Sequence, residues 1–133
     1  MTTNNGQSNG YATIQQLTEP GKRRFKDVEL PVRGGKVLIR SLFEHESEAF
    51  QMQNLKRNKR GVDVSAYRRL IILCAVDSSS KEPMFSDAHL EIFSLWDAAD
   101  VNHLGGECSR FCGFSEGEME RMEKNSETAP VES

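Results

Sequence analysis

From Phe25 the apolar residues Phe25, Val28, Leu30 and Val32 are interleaved with charged ones. After Arg33-Gly34-Gly35 a second run, Lys36 to Arg40, carries Val37, Leu38 and Ile39. Two such runs joined by glycines, which reach positive φ without strain, predict a β-hairpin over about 25–40. The period then lengthens. A segment from about Phe43 to Leu55 is Glu-rich at its start, where negative charge suits the helix dipole, and runs into the basic cluster Lys56 to Arg60 with Gly61 beyond. In the next segment Val64, Tyr67, Ile71 and Cys74 fall at helical spacing behind Asp63, a good N-cap. The apolar run Leu70–Val76 is also compatible with a buried strand, but the length from Val64 to Val76 favours a central helix over 64–76.

Asp77 to Lys81 is a polar turn, and Glu82-Pro83 ends any helix there. Ser86 is the expected cap of a short helix over about 86–93, with Phe85 and Leu90 at the spacing of a hydrophobic staple. A last helix over about 97–112 is predicted by the stripe Val101, Leu104, Cys108 and Phe111. Gly105-Gly106 inside it costs that helix about 1–2 kcal/mol, so the helix bends there or something packs close. Gly113 closes it. The expected fold is mainly α: three to five helices preceded by the hairpin, in a single domain over 23–114. A polar and basic leader, 1–22, and an acidic tail, 115–133, are expected to be disordered.

Charge sharpens this reading. The net charge is -3, but the tail holds six Glu against Arg121 and Lys124, which leaves the body near neutrality. A nearly neutral body ranks low as a nucleic-acid binder, since phosphate recognition normally needs a basic excess. Lys22, Arg23, Arg24 and Lys26, with Lys56 to Arg60, remain the residues such a function would use. Three cysteines, Cys74, Cys108 and Cys112, cannot all pair within one chain, and a reducing compartment, the cytosol, fits them best. No apolar stretch reaches the roughly 20 residues that span a bilayer.

Candidate chemistry is sparse. His45, His89 and His103 sit in no catalytic motif and read as solvated surface side chains. His103, Cys108 and Cys112 are the one metal-like grouping, but a fourth ligand is missing and Cys108 lies on the apolar stripe, which favours core packing. No cofactor site is expected. Trp96 reads as core more readily than as interface, yet an exposed Trp there would anchor a partner. The aromatic residues assigned to partner contact are Trp96, Phe111 and Phe114.

The order of these segments carries a resemblance. VELPVRGGKVLIRSL, then EHESEAFQ, then SAYRRLIILCAVDSSSKEPMFSDAHL, then SRFCGF and EMERMEKN together resemble the tail assembly chaperones of long-tailed bacteriophages, over roughly Phe25 to Asn125. The most specific part is Val76-Asp77 through Met84-Phe85-Ser86-Asp87. The chain departs from the family pattern at Phe43, where a Ser or Thr cap is usual, and at Cys112, where Ser is usual. The resemblance implies a protein without chemistry of its own. It would bind the tape measure protein, keep it soluble and help the tail tube protein polymerise around it. A frameshifted longer form would contact the tube protein. Such a chaperone would act in the host cytoplasm, be missing from the virion, and form a homo-oligomer. A small nucleic-acid-binding regulator and a structural head-tail component of the virion remain the alternatives.

Overall fold

The computed structural model describes residues 10–59, 65–115, 117–119 and 121. Its elements are α1 (Ile14–Thr18), β1 (Phe25–Glu29), β2 (Lys36–Arg40), α2 (Glu44–Lys59), α3 (Ala66–Cys74), β3 (Ala75–Val76), a 3-10 helix (Asp87–Leu95) and α4 (Ala98–Phe111). Helices gathered on a small antiparallel sheet make the fold mainly α. Asp63, expected to cap the third helix, lies outside the described residues, as do the side chains of the basic cluster at 56–60 and nearly all of the acidic tail.

The hairpin forms as its glycines require. Gly34 and Gly35 both adopt positive φ, 80° and 86°. Gly34 N–H donates to Leu30 O at 3.1 Å, and Leu30 N–H to Gly35 O at 3.0 Å. The antiparallel register sets Val28 opposite Val37 and Glu29 opposite Lys36. Val28, Leu30, Val37 and Ile39 are buried, while the charged residues of β1 remain exposed.

The sheet has a third strand that the expected architecture lacked. β3 pairs with the free side of β2, Leu38 opposite Val76 and Ile39 opposite Ala75. The predicted helix over 64–76 therefore ends at Cys74, and Ser65 caps it by accepting Tyr67 N–H at 3.2 Å. Periodicity was ambiguous here because Leu70, Ile71, Cys74, Ala75 and Val76 are all fully buried, on the helix and the strand alike. The unpaired edge of β2 decides the matter, because its backbone groups need partners. The chain then turns at Asp77, whose carboxylate accepts Ser79 and Ser80 N–H at 2.8 and 2.9 Å. It returns through hydrogen bonds from Asp77 N–H to Glu82 O and from Met84 N–H to Ala75 O.

The segment expected as a helix over 86–93 is a 3-10 helix of nine residues. Its three-residue period aligns Leu90 and Phe93 toward the core and turns Ile92 and Leu95 outward. Phe85 completes the staple region, its ring edge-on to Phe93 at 5.1 Å. His89, read from sequence as a solvated surface residue, is half-buried, and its Nδ1 accepts Ser86 N–H at 2.9 Å.

The last helix matches its stripe: Leu104 and Cys108 are fully buried. The Gly105 question resolves toward close packing, since a Cβ there would lie 2.8 Å from the Tyr67 side chain. α3 and α4 thus approach closely. Gly113, at φ 87°, ends α4 and redirects Phe114 into the core, where it packs against Phe50 with ring centres 5.6 Å apart. The leader, expected to lack structure, carries α1 in its described part. Thr13 Oγ1 accepts Gln16 N–H and Gln16 Oε1 accepts Thr13 N–H, a complete capping box, yet α1 buries no residue.

Candidate binding groove

The N-terminal turns of α3 and α4 and the end of the 3-10 helix converge on one groove of about 220 Å³. It is lined by Ser65, Arg68, Phe93, Ser94, Trp96, Ala98, Val101 and Asn102. Trp96 is its main aromatic wall, half-buried because the chain leaves the 3-10 helix there and restarts at Asp97. That residue caps α4 by accepting Ala99 N–H at 2.9 Å. Phe93 supports the indole edge-on at 5.1 Å and 73°. The Arg33 guanidinium lies over the ring, 4.7 Å from its centre, an attraction between cation and ring quadrupole.

Arg33 sits on the hairpin turn, and a buried carboxylate fixes it in place. Asp100, 1% exposed, accepts the backbone N–H groups of Val32 and Arg33, each at 2.9 Å. Two charge-assisted bonds lock the turn against the start of α4 and so hold Arg33 over Trp96. Beside the groove the outward row of the 3-10 helix leaves Ile92 and Leu95 47% and 82% exposed. Apolar surface, an aromatic wall and two guanidinium groups, from Arg33 and Arg68, therefore share one end of the molecule. That combination suits an apolar side chain flanked by carboxylates.

The three aromatic residues proposed from sequence do not share a surface. Trp96 lines the groove. Phe111 ends α4, roughly 20 Å away along the helix axis, with the Arg24 guanidinium 4.4 Å above its ring. Phe114 is core, only 7% exposed. Sequence reading placed Arg33 only in the hairpin turn and assigned Asp100 no role. It also missed Ile92 and Leu95, whose spacing of three was visible but gains meaning only on a 3-10 helix.

A second, more open depression of about 420 Å³ runs along β1 and α4, between Lys26, Asp27, Glu29, Lys36, His103 and Glu107. Two of its charges satisfy each other: Lys26 Nζ lies 2.7 Å from Glu107, which also holds Arg110 at 2.8 Å. These two cations pull the Glu107 carboxyl down to about 2. The arginines that precede β1 are likewise engaged. Arg23 forms a fork on Glu46 at 2.6 and 3.0 Å, and this bond raises the arginine's pKa and lowers the glutamate's. Arg24 donates to Phe111 O at 2.8 Å.

Among the described residues no group of three or more His, Cys, Asp or Glu side chains is arranged to hold a metal ion, and no helix is long and apolar enough to cross a membrane. No protein-family model, curated protein or solved structure matches the chain.

Proposed function

We propose that the chain is a non-catalytic tail assembly chaperone of a long-tailed bacteriophage that binds the tape measure protein in the host cytoplasm, with the Trp96 groove as its seat. The reading rests on the cadence of sequence segments from Phe25 to Asn125. The single structural observation that supports it is the apolar row Ile92 and Leu95 left in solvent beside a groove with an aromatic wall. A tape measure chain presents long apolar stripes before the tube encloses it, and such surface aggregates unless covered. An amphipathic helix laid across Leu95 and Ile92 with one side chain against Trp96 is the expected complex. The tail tube protein is the second partner, reached through a longer frameshifted form, and the chaperone is left out of the virion.

Co-expression with the neighbouring long tail gene tests this. The tape measure protein should move from the pellet to the soluble fraction and co-purify with the chain. A partner equally insoluble with and without the chain rejects the reading.

A nucleic-acid regulator has less support, because Arg23, Arg24 and Lys26 are each spent on internal partners. It predicts DNA binding with a steep salt dependence.

A further inference from the structure

The C-terminal ends of α3 and α4 bring the three cysteines together, at the end of the helix pair opposite the groove. Cys74, the last residue of α3, is fully buried, and Cys112, the C-cap of α4, is half-buried. Their sulfurs are 3.5 Å apart although 38 residues separate them in the chain. Cys108 lies beside Cys74 inside the core.

We propose that Cys74 and Cys112 are a latent disulfide pair, a modification site that a small-molecule disulfide closes and a thiol reductant reopens. A disulfide needs its sulfurs at about 2.05 Å, so each side chain has to give less than about 1 Å. Both helix ends are held by their own packing, which keeps the sulfurs in contact without a search. Cys112 is the entry point because its side chain reaches the surface while the other two thiols do not.

The exchange is balanced with oxidised glutathione as the oxidant. The Cys112 thiolate attacks one glutathione sulfur, the glutathione disulfide bond breaks, and one reduced glutathione leaves with a proton. Cys74, losing its own proton, then attacks Cys112 Sγ and expels the second reduced glutathione. Two protein thiols are oxidised, and one small disulfide is reduced to two thiols.

Closure is slow by construction. The contact with Cys74, then burial, pushes the Cys112 thiol well above its ordinary value, and Cys74 is raised by its neighbour Cys108 and by burial. Thiols so poorly ionised exchange sluggishly. The pair is therefore spared by brief or weak oxidation and responds to a sustained oxidising poise. Once closed, the bond ties together the far ends of the two helices whose near ends frame the groove.

Purified full-length protein should be incubated with oxidised glutathione and digested without reduction, and its cross-linked peptides identified by mass spectrometry. The expected product is a monomer joined between Cys74 and Cys112, with the thiols titrated after unfolding reduced from three to one and restored by dithiothreitol. Its thermal midpoint should rise by roughly 10 °C, as expected for a loop of this length. Cys108→Ser should still close. Cys112→Ser, checked for native circular dichroism, should not. Since the wild-type peptide map needs no variant, a misfolded mutant does not decide the outcome. Glutathione adducts alone, a Cys74–Cys108 bond, bonds only between chains, three unreactive thiols or a closed form with a lower midpoint would each overturn the assignment.

Discussion

The Tyr67 side chain lies so close over Gly105 that the missing Cβ is what lets α3 and α4 pack: any side chain there would begin 2.8 Å from the tyrosine. Neighbouring Gly106 faces only the end of Arg110, at 3.6 Å. Two adjacent helical glycines therefore have opposite roles. Gly106→Ala should stabilise the protein by about 0.5–1 kcal/mol through helix propensity. Gly105→Ala should destabilise it by about 1–3 kcal/mol through overpacking, despite the same propensity gain. Urea unfolding of the two variants side by side checks the sign; stabilisation by both would refute the close approach.

Asp100 gives a second expectation. Removing its carboxylate leaves the Val32 and Arg33 N–H groups without their acceptor in a partly buried turn. Asp100→Ala should cost about 2–4 kcal/mol. It should also release Arg33 from Trp96. Because Trp96 is the sole tryptophan, the change is readable as altered emission of the folded variant, measured before any unfolding begins.

Acid should weaken the junction of β1 and α4. The folded pKa of Glu107 is depressed to about 2, below its ordinary value, by hydrogen bonds from Lys26 and Arg110. Its contribution is therefore present in full above the unfolded value, near 4.5, and is lost as pH falls through the interval down to about 2. Lys26 and Arg110 are about half exposed, so screening limits the effect to about 0.5–1 kcal/mol. Glu107→Gln should remove that part of the acid dependence and lower stability at neutral pH by a similar amount. Denaturant midpoints from pH 7 to pH 2.5 measure it.

Leu95 separates binding from folding. At 82% exposure it contributes little to the core, so Leu95→Glu should change stability by less than about 0.5 kcal/mol. Under the proposed function the same change should weaken association with the tape measure protein tenfold or more, about 1.4 kcal/mol. Calorimetry or a pull-down with the co-expressed partner provides the measurement. Unchanged affinity would move the seat away from this face.

Much of the fold was legible in the sequence because local chemistry dictates it. Gly34-Gly35 fixed the hairpin, and the stripe through Leu104 and Cys108 fixed the last helix. The third strand was not legible, since nearly continuous burial erases the difference between a helical and an extended period over Leu70–Val76. The 3-10 geometry of Asp87–Leu95 was hidden in the same way. Its short spacing fits either helix type, and the choice is made by how Phe93 and Trp96 meet Phe85 and Arg33. For the groove, one wall was visible as Trp96. Its remaining parts come from the hairpin turn and two helix starts far apart in sequence, and only tertiary packing joins them.

The direct passage from α3 into β3, with Cys74 helical and Ala75 already paired to Ile39, leaves no loop to absorb motion between helix and sheet. Partial opening that frees one must also free the other, so the two behave as one cooperative unit toward hydrogen exchange. The amides of Ile39, Ala75 and the last turn of α3 should then exchange together, with a common opening free energy near that of global unfolding. The exposed α1 should exchange far faster.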